Sequence, residues 1–294
     1  KMKTVDTIPE DVYALFNRKE HHECSEENLD AFAHAVKELV RSRLAQEEIE
    51  EGRGAIRFSN LGKPDRYLWY KQNEPDKEED ISNKNLLKFL YGDVIEQLML
   101  FLIKEAGHEV SDEQKEIEVD GIKGHIDCII DGVTVDIKSA SPYSFQKFKK
   151  GTLFEDDPFG YIGQISGYAS QCTPDVGAAF VAFDKVHGDI NVLKVPPKIV
   201  HEYDPPSRIE SIKKTVGQDE VPPRCHSDVE DGKSGNRKLG TNCSYCGFKE
   251  HCWPGLRTFF YSGGPRFLTT VAKLPDVPEK GVSASIGDED IAPF

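Results

Sequence analysis

Gly124-His125-Ile126-Asp127 and, nine residues on from that aspartate, Asp136-Ile137-Lys138 carry two carboxylates and an amine at a spacing a hairpin can close. On an extended strand alternate side chains share a face, so Asp136 and Lys138 point the same way. Asp131-Gly132 lies between the two segments and is a favoured two-residue hairpin turn. Counting outward from it brings Asp127 beside Asp136 in a tight antiparallel register. Paired carboxylates suit hard cations such as Mg²⁺ and Mn²⁺. A lysine beside them can position or help deprotonate an attacking water and can offset charge growing on a phosphate. The plainer alternative is a surface hairpin with an ordinary salt bridge. Against it stand Ile126, Ile129, Ile130, Val133, Val135 and Ile137, which surround the charges with apolar neighbours. Charges in such a setting are costly unless paired or bound to metal.

A second group of ligand-type residues lies near the other end. Cys243, Cys246 and Cys252 fall within ten residues, and seven cysteines in 294 residues are too few for a disulfide scaffold. A C-x2-C knuckle places two thiolates on one ion. Cys225 is the preferred fourth ligand; His226 and His251 are alternatives for zinc, and Cys24 remains open. Cys128 and Cys172 read as buried or semi-buried thiols.

The elements that must position these groups follow from periodicity. Leu29, Phe32, Ala33, Val36, Leu39 and Val40 repeat at helical spacing. Ser59 is the expected N-cap of a short helix carrying Tyr67–Tyr70, and 73–84 reads as a loop. A long helix is expected over Asn85–Ala106, capped by Gly107, with Leu86, Leu87, Leu90, Val94, Leu98, Phe101 and Leu102 as its buried stripe. Alternation then predicts strands through Val119, over His125–Ile130 and over Val133–Ser139. Helices near Pro142–Lys149 and Pro158–Ser170 come next, then strands at Gly177–Asp184 and Asp189–Val195, and a helix near Ser207–Val216. This order suits a mixed sheet flanked by helices, in the α/β (α+β) class.

At this point the motifs resemble a known family. Gly-x-x-Asp, a hairpin and Asp-x-Lys look like the second and third motifs of the PD-(D/E)xK nucleases, in their RecB-like branch. Gln164-Ile165-Ser166-Gly167-Tyr168 resembles the Q-x-x-x-Y motif of that branch, and Glu96 stands where relatives carry a metal-binding acid or histidine. Asp93, one helical turn away, is the substitute. Ile126 replaces the name-giving proline, which the branch commonly lacks. The resemblance implies a restriction-endonuclease-like core with a C-terminal cysteine-ligated metal subregion. It implies that Asp127, Asp136 and the Ile137 carbonyl ligate Mg²⁺ or Mn²⁺, with Glu96 directly or through water. Lys138 would be the catalytic lysine, and Gln164 and Tyr168 would orient it or touch the DNA strand. The reaction would be attack of an activated water on a phosphodiester. CRISPR-adaptation and AddB-type relatives hold a [4Fe–4S] cluster with a C-terminal C-x2-C-x5-C and one N-terminal cysteine. The C-terminal spacing matches, but Lys63-Pro64-Asp65 stands where the N-terminal cysteine is expected. Iron–sulfur is favoured, with Zn²⁺ as the alternative. Gly235–Tyr261 also resembles bacteriophage-encoded members.

These readings divide the chain into an N-terminal helical region (1–84), the nuclease core (85–200), a helical and cysteine region (201–265) and an extended acidic tail (266–294). The net charge of −14 argues against a nucleic-acid partner in general, but a carboxylate–metal site brings its own positive charge. Lys147, Lys149 and Lys150 form a local basic spot that would meet DNA. No apolar run reaches the length of a membrane span and Lys1–Glu10 lacks a signal-type apolar stretch, so a cytoplasmic protein is expected, in the host cytoplasm if phage-encoded. The expected function is a metal-dependent DNA exonuclease or end-processing enzyme acting on single strands or duplex ends. A homo-oligomer or a recombination or replication partner is expected with it. The alternative is a catalytically silent nucleic-acid-binding or assembly protein on the same fold.

Overall fold

The computed structural model describes residues 3–45 and 54–281. They fall into two units, Lys1–Pro75 with Ile81–Val221, and Asp76–Asp80 with Pro222–Phe294.

The first unit opens with α1 (Ile8–Ala14), α2 (Glu26–Ala45), α3 (Asp65–Asn73) and α4 (Asn83–Glu105). Ser82 caps α4 by accepting from the Asn85 N–H, and Gly107, at φ 81°, ends it in the left-handed region that glycine tolerates. The strands β1 (Val110–Ser111), β2 (Glu116–Val119), β3 (Ile122–His125), β4 (Cys128–Ile130) and β5 (Val133–Ala140) follow. Asp131 and Gly132 both take positive φ, 48° and 78°, which gives the turn the twist that folds β4 back on β5. Next come α5 (Pro142–Lys150), α6 (Tyr161–Cys172), β6 (Ala178–Asp184), β7 (Ile190–Val195), α7 (Pro197–Tyr203) and α8 (Pro205–Val216).

The sheet runs β1-β4-β5-β6-β7, with β5 and β6 parallel and every other pair antiparallel. A parallel pair needs a crossover, and α5 and α6 supply it. The result is mixed α/β, a central mixed sheet with helices on its faces. Alternation along β5 sorts its side chains. Val135 and Ile137 pack with Ile8 and Val12 of α1 and Met99 and Ile103 of α4. Ala140 lies on the other face with Phe145, Phe148, Ile165, Ala169 and Phe180. Asp136 and Lys138 share the parity of Ala140.

The structure departs from the sequence-based expectations at several points. β2 and β3 form a two-stranded sheet of their own, through positive-φ Asp120-Gly121, outside the central sheet; β1, which periodicity missed, takes that edge. Ser59 does not cap a helix: Phe58–Asn60 is one 3-10 turn, and α3 begins after Pro64. On α4 the buried residues are Gly92, Met99, Leu100 and Ile103, whereas Leu87 and Leu98 are exposed. The expected stripe was displaced because Phe101 belongs to a second contact: it stacks on Phe32 of α2, centroids 5.3 Å apart.

The second unit contains β8 (Val229–Glu230), β9 (Arg237–Lys238), α9 (Thr241–Ser244), α10 (Lys249–Cys252), β10 (Arg257–Tyr261) and β11 (Gly264–Thr270), in a sheet of order β10-β11-β9-β8. The expected tail thus begins as a strand, because Arg266–Thr270 belong to β11; residues 282–294 lie outside the described residues. Buried Asp231 anchors this unit by pairing with Lys238 at 2.9 Å and Arg266 at 3.0 Å. Among the described residues no helix is long and apolar enough to cross a membrane.

Candidate active site

Asp136 occupies the middle of β5, flanked by β4 and β6, and is 2% exposed. A lone carboxylate at such a depth would not persist ionised, and the structure supplies a partner. Lys138 Nζ donates to Asp136 Oδ1 at 3.0 Å and stands 2.8 Å from Oδ2. Both carboxylate oxygens thus face the one ammonium, and among the described residues Oδ2 has no partner besides that ion pair. Gln164 of α6 reaches Oδ1 from Nε2 at 3.5 Å, a weak contact at the edge of hydrogen-bond range.

Asp127 lies just before β4, where the ladder has ended. Its Oδ2 accepts the Ile137 N–H at 2.9 Å, which fixes the carboxylate beside Asp136. Of Ile137, the N–H is therefore the group tied into the site. Glu96 projects from α4 and is half-buried. It lies within electrostatic reach of Lys138, Asp127 and Asp136. Asp93, the substitute on the same helix, pairs with Arg43 of α2 at 2.7 Å.

The three carboxylates feel one another's charge, although among the described residues their oxygens do not all close to within 4.8 Å of one another. Burial pushes Glu96 up to about 8, with Asp127 and Asp136 adding to it against the pull of Lys138. Burial and the neighbouring Asp136 push Asp127 up to about 7, against Lys138 and the Ile137 N–H. Asp136 is raised by burial, which Lys138 offsets only in part. Burial by itself would favour neutral Lys138, but Asp136, Asp127 and Glu96 outweigh it and hold the ammonium protonated more firmly than an ordinary lysine. The cluster is thus short of positive charge, with one ammonium among three carboxylates, and carboxylate oxygens are the donors that a hard divalent cation takes.

Helix α6 presents one face to the site. Gly160 opens it in the left-handed region, and Asp157 holds its first turn by accepting from the Gly160 and Ile162 N–H groups at 2.9 and 2.8 Å. Tyr161, Gln164 and Tyr168 follow at i, i+3 and i+7. Gln164 and Tyr168 share a hydrogen bond, and Tyr168 stacks on Phe58 at 5.6 Å. Tyr161 was not foreseen from the sequence: Lys138 Nζ lies 5.1 Å from its ring centroid, a cation–π contact beneath the ammonium. Its spacing from Gln164 and Tyr168 was the available signal. Gly124 is needed for close approach, because a Cβ there would lie 2.6 Å from Phe58 Cβ and 3.0 Å from Tyr168 Cε1.

The basic spot is uneven. Lys147 is engaged by Asp156 at 2.6 Å and lies 5.9 Å from the Tyr143 ring centroid, while Lys149 and Lys150 are exposed. In the second unit Cys243 lies within electrostatic reach of Cys225 and Cys252. Burial first, then Cys252 and Cys225, raises Cys243. Burial, with Cys243 and Cys252 adding, pushes Cys246 up to about 11. The four thiols are thus neighbours, yet among the described residues no three of them close to within 4.8 Å. Arg224 braces this region by donating to the Cys252 carbonyl from Nε and an Nη, at 3.1 and 3.0 Å, with its guanidinium 4.1 Å from the Trp253 ring centroid. Cys24 lies in the first unit beside His22 and Glu105.

No family model matches this chain, and no curated protein matches it. Among solved structures it is similar to one described as "Crystal structure of SSO0001", at 16% identity and a TM-score of 0.42, covering 74% of this chain and 95% of that one. A likeness at that level carries no argument about function, which rests on the site itself.

Proposed function

We propose that this chain is a divalent-metal-dependent DNA nuclease of the RecB-like PD-(D/E)xK kind, on a restriction-endonuclease-like core, acting as an exonuclease or on DNA ends. The observation that carries this reading is the gathering of three carboxylates, buried Asp136, Asp127 and Glu96, about the single ammonium of Lys138. One ion pair balances a single carboxylate; three about one lysine call for a further cation.

Asp127, Asp136 and Glu96 would hold the cation. Bound Mg²⁺ or Mn²⁺ supplies Lewis acidity toward the phosphoryl group and its attacking water. Lys138, protonated between the carboxylates and the Tyr161 ring, can donate to a non-bridging phosphoryl oxygen and offset charge as it grows there. A base role for Lys138 would require those carboxylates to be neutralised first. Gln164 keeps Asp136 and Tyr168 in register, and Ile137 holds Asp127 through its N–H. Lys149 and Lys150 are the exposed cations at the end of α5 for a passing phosphate backbone.

Cys225, Cys243, Cys246 and Cys252 would ligate a [4Fe–4S] cluster or zinc. What supports this is the setting of Cys243 and Cys246, whose thiols burial and then neighbouring cysteines push up, so that a cation there would favour their ionised form. Anaerobic purification followed by visible absorbance and metal analysis separates iron–sulfur from zinc.

The deciding assay uses end-labelled single- and double-stranded DNA with Mg²⁺, Mn²⁺ or EDTA, beside Asp136→Ala and Lys138→Ala. Metal-dependent cleavage by the wild type, lost in both variants, is expected. Equal inactivity of all three on every substrate would sink the enzymatic reading and leave a binding or assembly role.

A further inference from the structure

We propose that His22, Cys24 and Glu105 form a zinc site, separate from the carboxylate cluster and from the cysteines of the second unit. One ligand atom from each lies within 4.8 Å of the other two, and among the described residues this is the set of three His, Cys, Asp or Glu donors drawn that close. An imidazole nitrogen, a thiolate and a carboxylate oxygen are a donor set zinc accepts, and three protein ligands leave a fourth position for water.

The geometry around Glu105 goes beyond coincidence of three side chains. Its carboxyl group is 3% exposed although it lies at the end of α4, because the segment before α2 folds over it. Oε1 accepts from Asn28 Nδ2 at 2.6 Å, and both oxygens accept from the Ser25 N–H at 3.2 to 3.3 Å. Such supporting bonds orient a ligating carboxylate. Burial would raise this acid, but the bonds from Asn28, His22 and Ser25 outweigh it and hold the carboxyl below its ordinary range, in the ionised form a cation needs. His22 Nε2 already stands 2.7 Å from Glu105 Oε2, where in the absence of an ion the imidazole and carboxylate hydrogen-bond directly. Tetrahedral zinc at about 2.0–2.2 Å from each donor would separate those two atoms to about 3.4 Å, so only the exposed imidazole need withdraw. Cys24, also exposed, offers its thiol within 4.8 Å of both other ligand atoms.

The consequence is a staple. Residues 17–25 contain no helix or strand, and their hold on the end of α4 runs through Glu105. An ion bound by His22 and Cys24 to Glu105 would fix both that segment and the start of α2.

The test counts zinc on the full chain by native mass spectrometry, with zinc alone titrated into wild type, His22→Ala, Cys24→Ser and Glu105→Gln. Whatever the other cysteines and the carboxylate cluster bind is common to all four proteins. The expected result is one zinc fewer per chain in each variant and loss of a zinc-induced rise in Tm. His22 and Cys24 are exposed, so their variants should fold, and circular dichroism checks this; Glu105→Gln also disturbs the bonds to Ser25 and Asn28, and the first two variants decide. An equal zinc count in wild type and either of those two overturns the proposal.

Discussion

Asp127 Oδ2 and the Ile137 N–H are joined across the hairpin at 2.9 Å, so a residue one step outside β4 is held by the strand that carries Asp136 and Lys138. The two motifs are therefore one mechanical unit: displacing Asp127 also frees a backbone donor of β5. Charge and hydrogen bonding can be separated there. Asp127→Asn keeps an oxygen acceptor for Ile137 while removing the charge. Its fold should persist, and its affinity for Mn²⁺, read by calorimetry, should fall by at least the roughly 10–100-fold that even outer-shell changes cost. Asp127→Ala should add a loss of about 1–3 kcal/mol in urea unfolding, because the buried N–H is left unpaired. Equal unfolding free energies for the two variants would show that the bond contributes nothing.

The raised acids set a pH dependence. Unfolded carboxyls ionise near 4 (about 3.9 for Asp and about 4.3 for Glu), whereas folded Asp127 and Glu96 titrate at about 7 and about 8. Between those limits the folded state binds more protons, so stability from this site is fully present below pH of about 4 and is lost as pH rises through 7 to 8. In EDTA, Tm should fall across that window. Saturating Mn²⁺ should flatten the fall, and Asp136→Asn, which removes a like charge, should reduce it without metal. A Tm profile in EDTA that rises from pH 5 to 8 would contradict the assignment.

Gly124 tests the packing behind the site. In Gly124→Ala the new methyl would collide with the Cβ of Phe58, which cannot rotate away, and with the Tyr168 ring. A loss of about 1–3 kcal/mol is expected from overpacking, with Tyr168 displaced. Urea unfolding measures the first, and the near-ultraviolet circular dichroism of the aromatic pair the second.

Tyr161 tests the cation–π contact under Lys138. Tyr161→Phe keeps the ring and should leave stability near wild type. Tyr161→Leu removes it and should cost about 0.5–2 kcal/mol. Lys138→Met beside each variant completes a double-mutant cycle. Additive effects would mean that the ring and the ammonium do not interact.

Much of the first unit was legible in the chain before any coordinates. Asp131-Gly132 dictated a tight turn because few dipeptides accept two positive φ angles in succession, and that turn alone sets Asp136 and Lys138 on one strand face with Asp127 across from them. Gly107 closed α4 for an equally local reason, whereas its Ser82 cap lies in the stretch expected to be a loop. The period of α4 was also plain, but not which of its faces would be buried, since apolar residues surround it and two partners, the sheet and α2, divide them. Glu96 could be placed on the helix from sequence; that it lies within electrostatic reach of both aspartates while Asp93 pairs with Arg43 depends on how α4 lies against β5 and α2.

What sequence by itself determined, then, was local: turn types, caps, strand parity, and the residue types of a carboxylate–lysine cluster. What tertiary structure decided was everything that needs a partner distant in the chain. It decided that β2 and β3 leave the central sheet, that Tyr161 lies beneath Lys138, that Asp136 is buried against that lysine, and that Cys24 meets Glu105. Backbone preferences act over a few residues and leave their mark in composition and spacing. Burial and long-range charge depend on which surfaces meet, and no short stretch of chain encodes that alone.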